Sequence, residues 1–142
     1  FGPEVICGDS NFLATDADGF IFAVISSTMF ITWQRTVGGR LESRLRFSNT
    51  IVWNNFPLPS VTEALRKQII AAGAAVAEAR ELQPEVSLEA LYTPGALSPE
   101  LLAAHAQLDI HVDALFGIQA KQPSELARQE VLFANYVQQA TA

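Results

Sequence analysis

Glu42 and Arg44 are two oppositely charged residues spaced two positions apart in the segment 39–48 of this 142-residue chain. In an extended strand this spacing places both side chains on one face. A carboxylate accepts a hydrogen bond from the amino group of cytosine, and a guanidinium donates two to guanine. The pair therefore has the chemistry to read both halves of a C·G base pair. The alternative is an exposed ion pair on a solvated strand.

Positive charge is concentrated around this pair. The whole chain has a net charge of -6, but residues 35–59 hold four arginines against one glutamate, a net of +3. Residues 1–34 and 60–142 are acidic, with net charges of -4 and -5. The overall charge argues against general nucleic-acid binding by the whole chain, and only the middle segment is suited to face phosphates.

Residue types that would support catalysis lack the necessary spacing. Gly38-Gly39 follows a predicted helix and leads into a predicted strand, the reverse of a nucleotide-binding Gly-rich turn. His105 and His111 are six residues apart, which does not match an i, i+4 metal pair. Asp109 and Asp113 are expected to be solvated or internally paired. The sequence thus predicts no catalytic, cofactor or metal site in this chain.

The N-terminal part is predicted to contain short strands and one buried helix. The expected strands lie within 3–16, with apolar parts at 5–7 and 12–14, and then over 40–47 and 51–53. A helix is expected over 20–37, with Asp16 and Asp18 as N-terminal caps and an end at Gly38-Gly39. Asn54-Asn55 predicts a turn. Trp33, Trp53 and Phe56 are expected in the core beneath the strand pair.

The stiff segment Pro57–Pro59 predicts a boundary between two domains, 1–59 and 60–142. The second is predicted to be a small helical bundle, so the fold class is α+β and mostly α. Its helices are expected over 60–81 from a capping box at Ser60, over 87–92, over 98–117 and from 123 onward. The third helix has an inward-facing stripe, which consists of Leu101, His105, Leu108, Val112 and Leu115. Within this stripe, His105 is expected to pack with a hydrogen-bond partner.

The cellular setting is predicted from composition. The apolar run 19–33 is shorter than a membrane span needs and holds three hydroxyl residues, so it predicts a buried helix and no membrane contact. Cys7 is the one cysteine, which excludes an internal disulfide and fits the cytoplasm. The start at Phe1, without a methionine, predicts a piece of a longer protein.

Two sets of residues occur in a recognisable order along the chain. The first set lies in 25–29, Trp33, 39–41, 46–48 and 51–59. The second set lies in Ala79-Arg80, 87–92, 99–102, Ala104-His105, Leu108-Asp109, Val112-Asp113 and Phe116-Gly117. With these residues the chain resembles the end of the target-recognition domain and the C-terminal helical domain of MmeI-like proteins, which are type IIL restriction–modification enzymes and related adenine-specific DNA methyltransferases.

The resemblance implies a large parent enzyme with an upstream methyltransferase domain that uses S-adenosylmethionine, and in many members an N-terminal nuclease that would need Mg²⁺. It implies that this chain alone is not an enzyme and holds no cofactor. Its partners would be double-stranded DNA and the parent's methyltransferase domain. Its function would be to recognise a DNA sequence, the alternative being a helical scaffold or protein-interaction domain without DNA contact.

The family reads one base pair through two side chains two positions apart, and these positions match Glu42 and Arg44. Relatives with lysine and aspartate there read the inverted pair. The predicted phosphate contacts, which would set register without reading sequence, are Arg40, Arg46, Ser48 and Arg35. For the first three the alternative is an ordinary surface role, and Arg35 at a helix end has the alternative of complementing the helix dipole.

Overall fold

The computed structural model describes residues 5–8, 11–42 and 44–141. Its elements are α1 (Phe20–Ile25), α2 (Thr28–Val37), β1 (Gly39–Leu41), β2 (Arg44–Arg46), a π-helical turn (Asn49–Trp53), α3 (Glu63–Glu81), α4 (Leu88–Leu91), α5 (Pro99–Leu115) and α6 (Glu125–Ala140). The two strands form one antiparallel sheet. The predicted class, α+β and mostly α, is confirmed.

The predicted strands before residue 17 are wrong where the structure describes them. Residues 5–8 and 11–16 have no regular structure, and positions 3, 4, 9 and 10 lie outside the described residues. A strand needs a neighbour for its hydrogen-bond ladder, and the two described strands pair only with each other. Gly19, and neither of the predicted aspartates, occupies the N-cap position of α1. Both aspartate side chains nevertheless bind N–H groups of the first turn, because Asp16 accepts hydrogen bonds from those of Ile21 and Phe22, and Asp18 from that of Phe20.

The predicted helix 20–37 is two helices with a break at Ser26-Ser27. The Ser27 hydroxyl donates to the Val24 carbonyl at 2.6 Å and accepts from the N–H of Phe30 at 3.3 Å. Its side chain therefore ends one helix and caps the next. Asp109 of α5 completes the second cap, since it accepts hydrogen bonds from the N–H of Thr28 at 2.7 Å and from its hydroxyl at 2.5 Å.

The predicted strand 51–53 is also wrong, because this segment lies in the π-helical turn. The Trp33 indole N–H is buried and donates to the Val52 carbonyl at 2.8 Å, so this carbonyl is not free for a strand ladder. The predicted turn at Asn54-Asn55 is confirmed. Asn55 donates from Nδ2 to the carbonyls of Thr50 and Ile51 and holds the π-helical turn closed.

The four helices predicted after residue 60 are confirmed, with N-caps at Thr62, Ser87, Ser98 and Ser124. The first begins two residues later than predicted, since Thr62 rather than Ser60 caps it. The third ends as expected, with Gly117 in the left-handed region at φ +82°. Its stripe faces the core through Leu101, Leu108, Val112 and Leu115, which are all buried.

One core joins the helices on both sides of residue 60. α3 packs against α5 and α1, and α2 packs against α6 and α5. The core includes Val24, Met29 and Trp33 from the first part and Ile69 and Leu108 from the second. The helical tail therefore supports the elements from which the hairpin β1–β2 projects. In the described residues no helix is both long and apolar enough to cross a bilayer.

α1 approaches α3 closely at Gly73. A Cβ at this position would lie 2.5 Å from the Ala23 Cβ and 3.0 Å from its Cα, which is closer than side chains pack. Gly73→Ala is expected to lower the free energy of unfolding by about 1–2 kcal/mol, because overpacking outweighs the gain in helix propensity. Urea unfolding of the 142-residue chain measures this.

The matched control for this substitution transfers the methyl group from position 23 to position 73, so that the total number of methyl groups stays the same. Ala23→Gly combined with Gly73→Ala should be more stable than expected from the sum of the two single changes, because it removes the clash. A stabilising effect of Gly73→Ala alone would contradict the close approach of the two helices.

Candidate nucleic-acid interface

The segment predicted as one strand, 40–47, is a hairpin. β1 and β2 pair antiparallel in the register Gly39↔Arg46, Arg40↔Leu45 and Leu41↔Arg44, and Glu42 lies in the turn that follows β1. The prediction of a continuous strand is therefore wrong, and so is the alternation argument for the charged pair. The chain reverses at Glu42, whose φ of +57° places it in the left-handed region.

The structure nevertheless brings Glu42 and Arg44 together. Nη2 of Arg44 donates to Oε2 of Glu42 at 3.2 Å, at the tip of the hairpin. The side chains are 78% and 76% exposed, so the ion pair adds little to stability. The guanidinium and the carboxylate both remain accessible to a ligand.

The backbone at Glu42 is unusual for its residue type. A hairpin turn favours asparagine or glycine at a left-handed position, and a glutamate there carries a conformational cost. Strained positions occur frequently at binding sites. Among the described residues, the one contact of the exposed carboxylate is its bond to Arg44. An exposed carboxylate in this backbone conformation is a candidate for contact with a ligand.

The hairpin separates its arginines onto two faces. Directly paired residues share a face, so Leu41, Arg44 and Arg46 lie on one side and Arg40 lies on the other with Leu45. The first three line a shallow concavity of about 440 Å³, which Leu45, Phe47, Asn11 and Phe12 also border. The predicted contacts Arg44 and Arg46 are therefore brought together, and Arg40 is not on their face.

The other two predicted phosphate contacts lie away from the hairpin strands. The Ser48 hydroxyl accepts from the N–H of Ile51 at 3.2 Å and caps the π-helical turn. Arg35 lies in the last turn of α2, with Nη1 3.9 Å from the Glu125 carboxylate of α6. Each thus has a structural role, and a contact of either with phosphate stays a prediction.

Aromatic side chains anchor the base of the hairpin. Phe47 follows β2, and its ring centroid lies 5.1 Å from that of Phe12 and 6.4 Å from that of Phe30. Trp33 is buried as predicted, whereas Trp53 and Phe56 are partly buried against the same core. These rings pack around α2 and the π-helical turn. They do not lie beneath the predicted pair of strands 40–47 and 51–53, because the second of these strands does not form. The hairpin is therefore held at its base while its tip is exposed.

A series of side-chain hydrogen bonds, of which the sequence analysis identified only His105, links α3, α4 and α5. Arg80 donates from Nε to the Tyr92 hydroxyl at 2.9 Å, and this hydroxyl lies 2.6 Å from Nε2 of His105. The predicted hydrogen-bond partner of His105 is thus confirmed as Tyr92. Burial, together with the charge of Arg80, lowers the pKa of His105. A neutral ring bonded to a phenol serves here as a link between helices.

The two aspartates of α5 are internally paired, which confirms one of the two predicted alternatives. Asp109 caps α2, and Asp113 forms a two-bond pair with Arg128 of α6 at 2.8 and 2.7 Å. These hydrogen bonds raise the pKa of Arg128. Sequence reasoning missed Arg128. Its position four residues before the buried Leu132, and so on the same face of α6, was the available signal.

Comparison with known proteins identifies the class to which this architecture belongs. Residues 1–60 match the family model "MmeI, target recognition domain", and residues 61–142 match "MmeI, C-terminal domain". The chain therefore belongs to the MmeI family, of which it represents these two regions.

Two relatives cover nearly the whole chain. One is "DNA methyltransferase A" of Bacillus subtilis (strain 168), which is 30% identical over 135 residues, 95% of this chain and 15% of that protein. The other is the solved structure of the type IIL restriction–modification enzyme MmeI in complex with DNA. It is 41% identical with a TM-score of 0.84, over 89% of this chain and 17% of that one. The chain thus spans about a sixth of the length of either relative.

Proposed function

We propose that this chain is the DNA sequence-recognition module of a restriction–modification DNA methyltransferase, and that its hairpin tip reads one C·G base pair. The parent enzyme would methylate adenine with S-adenosylmethionine. The family membership and the relative solved with DNA support the first statement. The geometry of Glu42 and Arg44 supports the second.

The observation that carries the proposal is the contact of Glu42 with Arg44 side by side at 3.2 Å. On the major-groove edge of a C·G pair, the amino group of cytosine donates a hydrogen bond to O6 of guanine. These two atoms are therefore about 2.9 Å apart. A carboxylate and a guanidinium in contact match this spacing. Glu42 would accept from the cytosine amino group while Arg44 donates to O6 and N7 of guanine.

The pairing discriminates between the two orientations of the base pair. In a G·C pair the carboxylate would face the guanine acceptors and the guanidinium the cytosine donor, so both contacts would be repulsive. Each correct contact contributes about 1–3 kcal/mol of discrimination. Because the ion pair is exposed, little of its own stability is lost when the two groups turn to the bases.

Exposure of the hairpin also separates this proposal from the alternative of a helical scaffold. A scaffold would be expected to cover the segment 40–48 with a helix. Instead, Arg40, Arg44 and Arg46 are all exposed. These arginines belong to the segment 35–59, which has a net charge of +3, so a positively charged surface is accessible to the DNA backbone.

We place Arg46 on the DNA backbone beside the base-reading pair, because it shares the face of Arg44. Arg46→Ala in the full-length protein is expected to weaken DNA binding across all sequences and to reduce the salt dependence by about one phosphate contact. The methylated motif should not change. Affinity for specific and random duplexes at several salt concentrations checks this.

The control for this substitution is Lys67→Ala, which removes an exposed cation from α3 and should leave the affinity unchanged. A change of motif with Arg46→Ala would show that Arg46 reads bases. The same measurements on Arg40→Ala, Ser48→Ala and Arg35→Ala test the remaining proposed phosphate contacts.

The cofactor would be bound by other parts of the parent enzyme. Among the described residues, Gly38-Gly39 connects α2 to β1, so it is not a strand-to-helix turn that would hold the nucleotide moiety of S-adenosylmethionine. The residues here thus do not fit that group, and we assign no catalytic step to them. We propose the division 1–59 and 60–142 for the two domains, the parent's methyltransferase domain as a partner, Mg²⁺ for cleavage elsewhere in the parent, and a cytoplasmic location.

A direct test of the base-reading proposal exchanges the charges of the pair in the full-length protein. The full-length protein with Glu42→Lys and Arg44→Asp is expressed in cells, and the methylated motif is mapped across their genome. A change at one position of the motif supports the assignment, and an unchanged motif with full methylation contradicts it.

A further inference from the structure

Leu41 is a large apolar residue in an exposed position at the end of β1. It is 60% exposed, although its neighbours on the hairpin are mostly charged. Leu41 is not a member of the buried core formed by the described residues. An exposed leucine is common on protein surfaces. This one, however, lies beside the pair to which we assign base reading.

The register fixes the face on which Leu41 lies. It pairs directly with Arg44 and therefore shares the face of Arg44 and Arg46. All three border the shallow concavity beside the hairpin, to which Leu45 of the other face also contributes. Any duplex that engages Arg44 and Arg46 on this face would come close to the Leu41 side chain.

The major groove offers one apolar feature to such a side chain. Thymine carries a methyl group at C5, whereas cytosine has a hydrogen there, and aliphatic side chains contact this methyl group. Leu41 has no hydrogen-bonding group, so it cannot read the polar edges of the bases. Its chemistry restricts it to the C5 edge of a pyrimidine.

We propose that Leu41 is a specificity-determining residue that contacts C5 of a pyrimidine at, or one step from, the base pair read by Glu42 and Arg44. The contact favours a C5 methyl group over a C5 hydrogen. This inference rests on the proposed function of the hairpin. It adds an apolar contact to the polar contacts of that site.

The experiment measures methylation by the full-length protein on duplexes that carry its motif. Each thymine in and beside the motif is replaced in turn by uracil, which removes the methyl group, and each cytosine by 5-methylcytosine, which adds one. At one pyrimidine, the methylated form should react about three to five times faster in the limit of low DNA, as expected for the burial of one methyl group. Leu41→Ala should abolish this preference, and Leu41→Met should retain most of it.

The control is Leu82→Ala, since Leu82 is 66% exposed at the C-terminal cap of α3 and does not line the concavity. It should keep the preference in full. The proposal is overturned if the wild-type protein shows no C5 preference near the read pair, or if the preference persists in Leu41→Ala. The measurement on the wild-type protein can overturn the proposal by itself, so the test does not depend on whether the variants fold.

The charge exchange distinguishes this proposal from that of the hairpin itself. If Glu42→Lys with Arg44→Asp inverts the motif but no C5 preference exists, the hairpin reads DNA and Leu41 has no part in specificity. If the motif is unchanged on charge exchange, the assignment of the pair fails first, and a C5 preference that depends on Leu41 would stand alone.

Discussion

Glu42→Lys with Arg44→Asp is expected to change one position of the methylated motif from C to G. The exchanged pair would present an ammonium donor where the carboxylate was and a carboxylate acceptor where the guanidinium was. A G·C pair displays the complementary pattern at these places, so the donor–acceptor match is restored only for the inverted base pair. With about 1–3 kcal/mol for each contact, the preference should shift by at least tenfold in each direction. Genome-wide mapping of methylation in cells that express the full-length protein measures it.

The matched control exchanges an ion pair of similar exposure on a different surface. Glu63 and Lys67 of α3 form an i, i+4 contact at 3.3 Å, with both side chains 74% exposed. Glu63→Lys with Lys67→Glu should leave the motif unchanged. If the hairpin variant loses all methylation, its thermal unfolding and its binding to random duplex DNA show whether folding or reading was lost. Full methylation at the original motif would show that the hairpin charges do not read bases.

Asp113→Ala is expected to have the largest effect on stability, a loss of about 3–5 kcal/mol in the free energy of unfolding. The Asp113 and Arg128 side chains are only 3% and 10% exposed, and two hydrogen bonds join them. Removal of the carboxylate leaves a guanidinium in a site largely removed from water, with the Pro123 carbonyl as its remaining hydrogen-bond partner in the described residues. Urea unfolding of the 142-residue chain measures the change.

Two controls separate an unpaired buried charge from the loss of an ion pair as such. Asp113→Leu with Arg128→Met removes both charges and should cost much less than Asp113→Ala, because apolar side chains can replace a buried pair at little cost. Lys67→Ala breaks an exposed pair and should change stability by no more than about 1 kcal/mol. An effect of Asp113→Ala no larger than that of Lys67→Ala would contradict the structural role of the pair between α5 and α6.

Local sequence determined most helix ends and the residues of the candidate site. Ser98 and Ser124 cap the helices that follow them, and Gly117 ends α5, because these signals act through hydrogen bonds and backbone angles within a few residues. The charges that suggested base reading were likewise visible, since Glu42 and Arg44 are neighbours along the chain. Such features need no knowledge of the rest of the fold.

The tertiary structure determined the local conformation at positions where groups distant in the sequence bind the backbone. α2 begins at Thr28 with the help of Asp109, which lies 81 positions away in the chain. The strand expected at 51–53 became a π-helical turn whose Val52 carbonyl binds the Trp33 indole.

The hairpin shows how the two levels combine. Sequence supplied the charged pair, but the extended strand expected for it does not form, because the chain turns back at Glu42 and each half pairs with the other. The faces of Arg40, Leu41, Arg44 and Arg46 depend on this register. Pattern along a chain identifies which groups are available, whereas their arrangement in space depends on contacts that form only when the chain has folded.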